Sequence, residues 1–448
     1  MKIKSIFTTA AALSVLCTSF VSGCAGTSEE AESSDKETIQ TTVFAPETEN
    51  TDKEKGTKAS TEKESNNENT TEPPVTASDQ DNTSEDNDPS KDRQEEKVND
   101  KKLSEASLEK LAVMSIEEKV AQMFAVMPEA ISYASPVTEG LELKEGIYEY
   151  PLGGILFMGQ NINYGEQIKE LIENVQTYSE DRIGLPMFTF VDEEGGSVRR
   201  VSGKVEGISA LKSAAEMAAE GDDIYQTGKR AGSYLSDLGF NVDFAPVADV
   251  VSEDSSLVIE DRSFGNDPYK VAECVTDFAK GLKEEGVMST FKHFPGHGPT
   301  ATDTHNDSAY IYKSVEELEA WDLIPFQAAI DEDAEFIMIS HAAVNALDSD
   351  GTPATLSKAV ITGLLKDRMG YEGIVVTDAL NMGAIADHYS ASEAALMAVE
   401  AGADILLEPS DFAIAYNAVL KAVKSGEISE TRVDESVGKI IGLKERIR

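Results

Sequence analysis

The stretch "GIVVTD", Gly373–Asp378, is a short run of β-branched residues closed by a carboxylate. It is too short for a typical helix. Its apolar residues are continuous rather than alternating, the mark of a strand buried on both faces of a parallel sheet. The same form recurs seven times, as "AQMFAVM" (121–127), "GGILFM" (153–158), "PMFTFVD" (186–192), "VDFAPVAD" (242–249), "VMSTFKH" (287–293), "EFIMISH" (335–341) and "ADILLE" (403–408). Amphipathic segments such as "DPYKVAECVTDFAKGLKEEG" and "SVEELEAWDLIPFQAAIDED" lie between most of them. Eight such strands with interleaved helices predict an α/β fold, a (β/α)8 barrel, over residues 105–448. A doubly wound open sheet is the alternative, but no G-x-G-x-x-G follows 121–127. No repeat of solenoid length is present.

The runs end in a common way. Asp192, Asp249, Lys292 with His293, His341, Asp378 and Glu408 each close one. Ionisable groups at the ends of buried strands are costly to fold, and in barrel enzymes that end carries the active site. One such group reads as a strand cap; six read as a site.

Ahead of the barrel the chain changes character. Lys2 and Lys4 precede the apolar run "IFTTAAALSVLCTSFVSG", which is short and rich in Ser and Thr for a membrane span. "VSGC", Val21–Cys24, resembles a bacterial lipobox. Residues 1–23 are therefore expected to be a lipoprotein signal peptide and Cys24 the lipidated residue, with an ordinary cleaved signal as the alternative. The protein would then be exported and anchored to the outer face of a bacterial cell membrane. Residues 27–100 hold 22 acidic and 8 basic residues, with Phe44 as their only aromatic. So apolar-poor a segment cannot offset its chain entropy, so 24–104 is expected to be a disordered acidic tether. Ser115 and Glu118 form an S-x-x-E capping box where the apolar patterning begins. The net charge of −43 argues against nucleic-acid partners. Past Cys24 a single cysteine remains, Cys274, expected to be buried in a helix, so the fold must rest on its core.

Three of the five histidines, His293, His297 and His305, fall inside "KHFPGHGPTATDTH", Lys292–His305. A metal site is one reading, since His293, His297, Asp303 and His305 are ligand types. Against it, "FPGHG" breaks any helix that would place His293 and His297 on one face, and Lys292 would oppose a cation. No metal or organic cofactor is therefore expected. The acid/base reading pairs His305 with Asp303, two residues earlier, whose carboxylate would fix the imidazole tautomer. Asp378, at a fixed strand end, is a candidate nucleophile. The plainer alternative for Asp378 is a helix N-cap before "ALNMGAI".

Together "KHFPGHGPTATDTH", "VTDALNMGAI" (376–385), "DEEGGSVRR" (192–200) and "DRSFG" (261–265) resemble glycoside hydrolase family 3, in its β-N-acetylglucosaminidase branch. The resemblance covers about residues 108–446. It implies a retaining exo-hydrolase on a (β/α)8 barrel. Asp378 would form the covalent glycosyl-enzyme, and His305 would act as acid then base, oriented by Asp303. Asp192, Arg200, Arg262, Lys292 and His293 would bind sugar hydroxyls, and the glycines after Glu194 would let backbone approach the ligand. His297 would shape its loop. Ser197 departs from the Arg expected after "EGG", which bears on the outer pocket.

The implied activity is removal of non-reducing terminal N-acetylglucosamine from peptidoglycan fragments or chitooligosaccharides. Phosphorolysis of the same bond is one alternative, because an imidazole acid repels phosphate less than a carboxylate would. A β-glucosidase or β-xylosidase of the same family is another, and a non-catalytic glycan-binding lipoprotein lies outside both. The lone tryptophan, Trp321, sits in a predicted helix, so no aromatic platform for a long glycan is expected. Oligomeric state is left open.

Overall fold

The computed structural model describes residues 103–251, 259, 261–296 and 309–447. The expected signal peptide, Cys24, almost all of the tether, and His297, Asp303 and His305 lie outside the described residues.

Ten strands are described: β1 (Phe124–Val126), β2 (Gly154–Leu156), β3 (Phe188–Val191), β4 (Val242–Asp243), β5 (Met288–Phe294), β6 (Tyr310–Ile311), β7 (Phe336–Ile339), β8 (Ala343–Val344), β9 (Ile374–Thr377) and β10 (Leu406–Leu407). Eight form one sheet in the order β10-β1-β2-β3-β4-β5-β7-β9. Every pairing in it is parallel. A parallel bridge between Val376 and Ile405 joins β9 to β10 and closes the ring. The predicted barrel is thus present, and each of the eight sequence runs supplies one of its strands.

Strand alternation sorts side chains inward and outward. Phe188, Phe190, Phe244 and Phe336 fill the interior with Val242, Met338, Ile374 and Val376. Phe190 stacks on Phe244 at 4.7 Å, and Phe188 meets Phe336 edge-on at 5.3 Å. A second, larger core lies between the sheet and the helices, with Val175, Leu235, Val275 and Val399 among its members. The helix Glu430–Lys444 closes the N-terminal end of the barrel with Ile440 and the fully buried Lys444. Lys444 Nζ donates to Gln122 Oε1 at 2.8 Å and lies 5.3 Å from the centre of the Phe188 ring. Among the described residues no carboxylate pairs with it, and burial pushes this ammonium down to about 7.

Three local expectations change. Ala121 and Gln122 end the helix Ile116–Gln122 instead of opening β1. The Ser115–Glu118 capping box forms as expected and carries that helix on to Met123. In "VDFAPVAD" the strand stops at Asp243, and beyond Pro246, which has no N–H to give, pairing continues as an isolated bridge from Val247 to Lys292. Trp321 is not helical but sits in a turn between Val315–Glu319 and Ile324–Asp331. There the buried Asp322 pairs with Lys313 at 2.6 Å, and Pro325 starts the second helix. Cys274 is buried in the helix Pro268–Glu284, as expected.

Candidate active site

Because all eight barrel strands are parallel, their C-terminal ends share one face, and the polar strand ends converge there. Lys292, at the end of β5, is buried. Its Nζ lies 2.9 Å from Asp192 Oδ1 and 2.6 Å from Glu194 Oε1. Arg262 grips the same Glu194 with two bonds, Nε to Oε2 at 2.7 Å and Nη2 to Oε1 at 2.8 Å. Arg200 stands 3.9 Å from Asp192 Oδ2. His293 Nδ1 donates to Asp249 Oδ2 at 2.7 Å, which leaves Nε2 turned toward Arg262 Nη2 at 3.5 Å. The Lys292–His293 peptide bond is cis.

Burial alone would raise the Glu194 carboxyl, but Lys292 and Arg262 more than offset it and hold it well below its ordinary value. Burial likewise disfavours charge on Lys292 and Arg262, and the surrounding carboxylates reverse this, raising both. The cluster is therefore ionised on both sides near neutral pH, with its donors fixed before any ligand arrives.

Asp378 follows β9. Its N–H is held by Ile339 O at 2.9 Å, and its Oδ1 accepts from Ala379 N–H at 2.8 Å. Helix does not resume until Gly383–Ala386, capped at Met382, so the N-cap alternative for Asp378 does not hold. Burial would raise its carboxyl; the charges of His341 and His293, the Ala379 bond and Lys292 bring it below the ordinary value instead. His341 Nε2 donates to Ala379 O at 2.9 Å, and its Nδ1 meets Thr355 Oγ1 at 2.6 Å. The turn after the carboxylate is thus pinned from a neighbouring strand.

The segment after Asp192 is shaped by a residue that sequence reasoning passed over. The buried Glu193 accepts the N–H groups of Arg200, Val201 and Ser202 at 2.7, 2.8 and 2.9 Å, and the Tyr234 hydroxyl at 3.0 Å. Its own N–H donates to Asp243 Oδ1 at 3.0 Å. The glycines of "EGG" also have a packing reason. A Cβ on Gly195 would meet Lys212 O at 2.0 Å, and one on Gly196 would meet Ser213 Cβ at 2.6 Å. They serve the loop's own packing, with φ of 97° and 55°. Ser197 Oγ donates to Asp261 Oδ2 at 3.2 Å and so ties this loop to the one carrying Arg262.

Glu408 ends β10 in the left-handed region, at φ 47°. It accepts from Met127 N–H and, at 3.4 Å, from Asn381 Nδ2 in the Asp378 turn. Burial, with the Glu129 charge adding to it and the Met127 bond opposing it, pushes this carboxyl up to about 7. Of the sequence-predicted site residues, Asp378, Asp192, Arg200, Arg262, Lys292 and His293 all lie at this end of the barrel. Glu194, the acceptor at the centre of the cation pair, had not been singled out; its signal was two further acidic residues directly after a strand-end Asp. Among the described residues no three His, Cys, Asp or Glu side chains are placed to hold a metal ion.

An all-parallel closed barrel with paired cations, carboxylates and a strand-end Asp at its C-terminal end has the arrangement of a barrel enzyme's active site. Residues 115–443 match the glycosyl hydrolase family 3 N-terminal domain, and the chain belongs to that family of glycoside hydrolases. It is 32% identical over 341 residues to the β-hexosaminidase LpqI of Mycobacterium tuberculosis (strain ATCC 25618 / H37Rv), covering 74% of this chain and 84% of that one. It is 31% identical over 332 residues to β-hexosaminidase A of Pseudoalteromonas piscicida, covering 68% of this chain but 55% of the relative. A solved glycoside hydrolase family 3 β-N-acetylglucosaminidase from Paenibacillus sp. str. FPU-7 superposes with a TM-score of 0.69 at 35% identity, over 75% of this chain and 63% of that one.

Proposed function

We propose that the protein is an exo-acting, retaining β-N-acetylglucosaminidase that removes terminal N-acetylglucosamine from peptidoglycan fragments or chitooligosaccharides. The observation that carries this reading is Asp378: a half-buried carboxylate kept below its ordinary value at the catalytic end of the barrel, beside a preformed cluster of hydrogen-bond donors.

The geometry of the described residues, with the sequence motif that supplies Asp303 and His305, supports the following course. Asp192, Arg200, Arg262, Lys292 and His293 hold the hydroxyls of the terminal sugar. Asp378 Oδ1 is engaged by Ala379 N–H, so Oδ2 is the oxygen assigned to the attack. It bonds to the anomeric carbon as the glycosidic C–O bond breaks, and His305, oriented by Asp303, gives its proton to the departing oxygen. His305 then takes a proton from water, whose oxygen displaces Asp378 from the anomeric carbon. Two displacements retain the configuration. An imidazole here does what the second carboxylate does in most glycosidases.

The sequence further supports export and anchoring through Cys24, with residues 24–104 spanning from lipid to barrel. Cys24→Ser should move the protein from the membrane to the soluble fraction, and continued membrane retention would remove the anchor. The activity is tested with matched aryl β-glycosides of N-acetylglucosamine, glucose and xylose, with and without phosphate. Preference for the first, lost by at least a thousandfold in Asp378→Asn with binding kept, is expected; undiminished turnover in that variant would end the nucleophile assignment.

A further inference from the structure

The rim of the catalytic end carries aromatic surface that the single tryptophan gave no hint of. β6 pairs with β8, Tyr310 opposite Ala343 and Ile311 opposite Val344. Ala343 N–H donates to Ala309 O at 2.8 Å and Asn345 N–H to Ile311 O at 3.0 Å. Alternation turns Ile311 inward, fully buried, and leaves Tyr310 and Tyr312 on the solvent side, 40% and 77% exposed. Their rings lie nearly parallel, at 24°, with centroids 6.2 Å apart. Tyr310 rests over the turn at Gly351, where a Cβ would stand 3.3 Å from its Cε1. It is therefore held in place before any ligand binds. Tyr389, half-buried on the segment that follows Asp378, has its phenol raised by burial and by the nearby Asp350 and Tyr310.

β8 begins two residues past His341, whose Nε2 bonds the carbonyl next to Asp378. With strands about 4.8 Å apart and a rise of about 3.3 Å per residue, the Cα of Tyr310 lies within about 12 Å of that of His341. That is the reach of a few linked sugars. A β-linked N-acetylglucosamine ring carries its substituents equatorially and so offers flat C–H faces, which pair with the electron-rich face of an aromatic ring. It is also uncharged, which suits a strongly acidic protein.

We propose that Tyr310 and Tyr312 form an aromatic subsite for the leaving-group side of a β-linked N-acetylglucosamine glycan, binding sugars beyond the bond that is cleaved. The inference rests on the hexosaminidase reading above. It is tested by kcat/KM of the full chain, wild type against Tyr312→Ala and Tyr312→Phe, on an aryl β-N-acetylglucosaminide and on chitopentaose. The subsite predicts unchanged aryl hydrolysis, a loss of about tenfold on chitopentaose lodged mainly in KM, and recovery in the Phe variant, which keeps the ring. Equal losses on both substrates, or none on chitopentaose, would overturn it. Should the wild type cleave no N-acetylglucosaminide, the hexosaminidase reading fails by itself. Calorimetric titration with chitopentaose then decides the subsite: binding lost in Tyr312→Ala upholds it, and binding absent or unaltered overturns it.

Discussion

Replacing Lys292 by Met isolates what the buried cation contributes. Methionine keeps the length and the apolar stem and deletes the charge. Glu194 keeps both bonds to Arg262, but the nearest cation remaining to Asp192 among the described residues is Arg200, at 3.9 Å. Removing one member of a buried ion pair costs about 3–5 kcal/mol. The Asp192 side chain is 17% exposed, so the lower end applies, about 3 kcal/mol at pH 7. The stranded carboxylate escapes by taking a proton, and that route becomes easier by about 1.4 kcal/mol for each pH unit downward. The loss should therefore shrink to about 1 kcal/mol near pH 5. Glu194 also loses Lys292 but keeps its paired bonds to Arg262, so the pH trend is assigned to Asp192. The Glu194 pKa is depressed in the fold, so its contribution is fully present above its ordinary value of 4.5 and is lost only below. Urea unfolding of both proteins at pH 7 and pH 5 measures the difference. As a proposed sugar contact, Lys292 should also take about ten- to hundredfold from kcat/KM when removed. A loss below about 1 kcal/mol at pH 7, or one equal at both pH values, would refute the reasoning, because the pair would then only offset its own desolvation.

Two further variants should show opposite pH trends. Lys444→Met removes an ammonium pushed down to about 7 by burial from an ordinary 10.5. Between those values the unfolded chain holds the proton that the fold has shed, so wild-type stability rises with pH there and the cost is full below 7. The variant should gain about 3 kcal/mol at pH 6, allowing for the donor lost to Gln122, and nothing near pH 10; a pH-independent gain in urea midpoints would count against this. Glu408→Gln removes a carboxyl raised in the fold to about 7 from 4.5. Wild-type stability falls as pH rises through that window, so the variant should gain about 2 kcal/mol at pH 8 and none at pH 4, and the reverse order would mean the carboxylate is well solvated.

Much of the fold was legible because parallel barrel strands are buried on both faces and announce themselves as apolar runs. "FTFV" and "IVVT" became β3 and β9 with every residue buried. The ends of runs were harder. Nothing in "AQMFAVM" marks where the capped helix stops, and nothing in "AWDLIPF" marks the turn that the Asp322–Lys313 pair stabilises. β6 and β8 have two residues each and no periodicity to read, so the tyrosines they display were invisible as a surface.

The sequence alone determined that ionisable residues close the strands, information that residue type and spacing carry along the chain, and its resemblance to a glycoside hydrolase family led to the expectation that Asp192, Arg262, Lys292, His293 and Asp378 share one site. Only the tertiary structure decided which charge answers which. Lys292 meets Asp192 and Glu194 across about a hundred residues of chain, Arg262 shares Glu194, and Asp249 orients His293. Such pairings depend on barrel closure and on which strands end side by side. Burial raises both Asp378 and Glu408, and their neighbours separate them: the charges around Asp378 bring it below its ordinary value, while Glu408, with Glu129 near it, stays above, and those neighbours exist only once the strands have met.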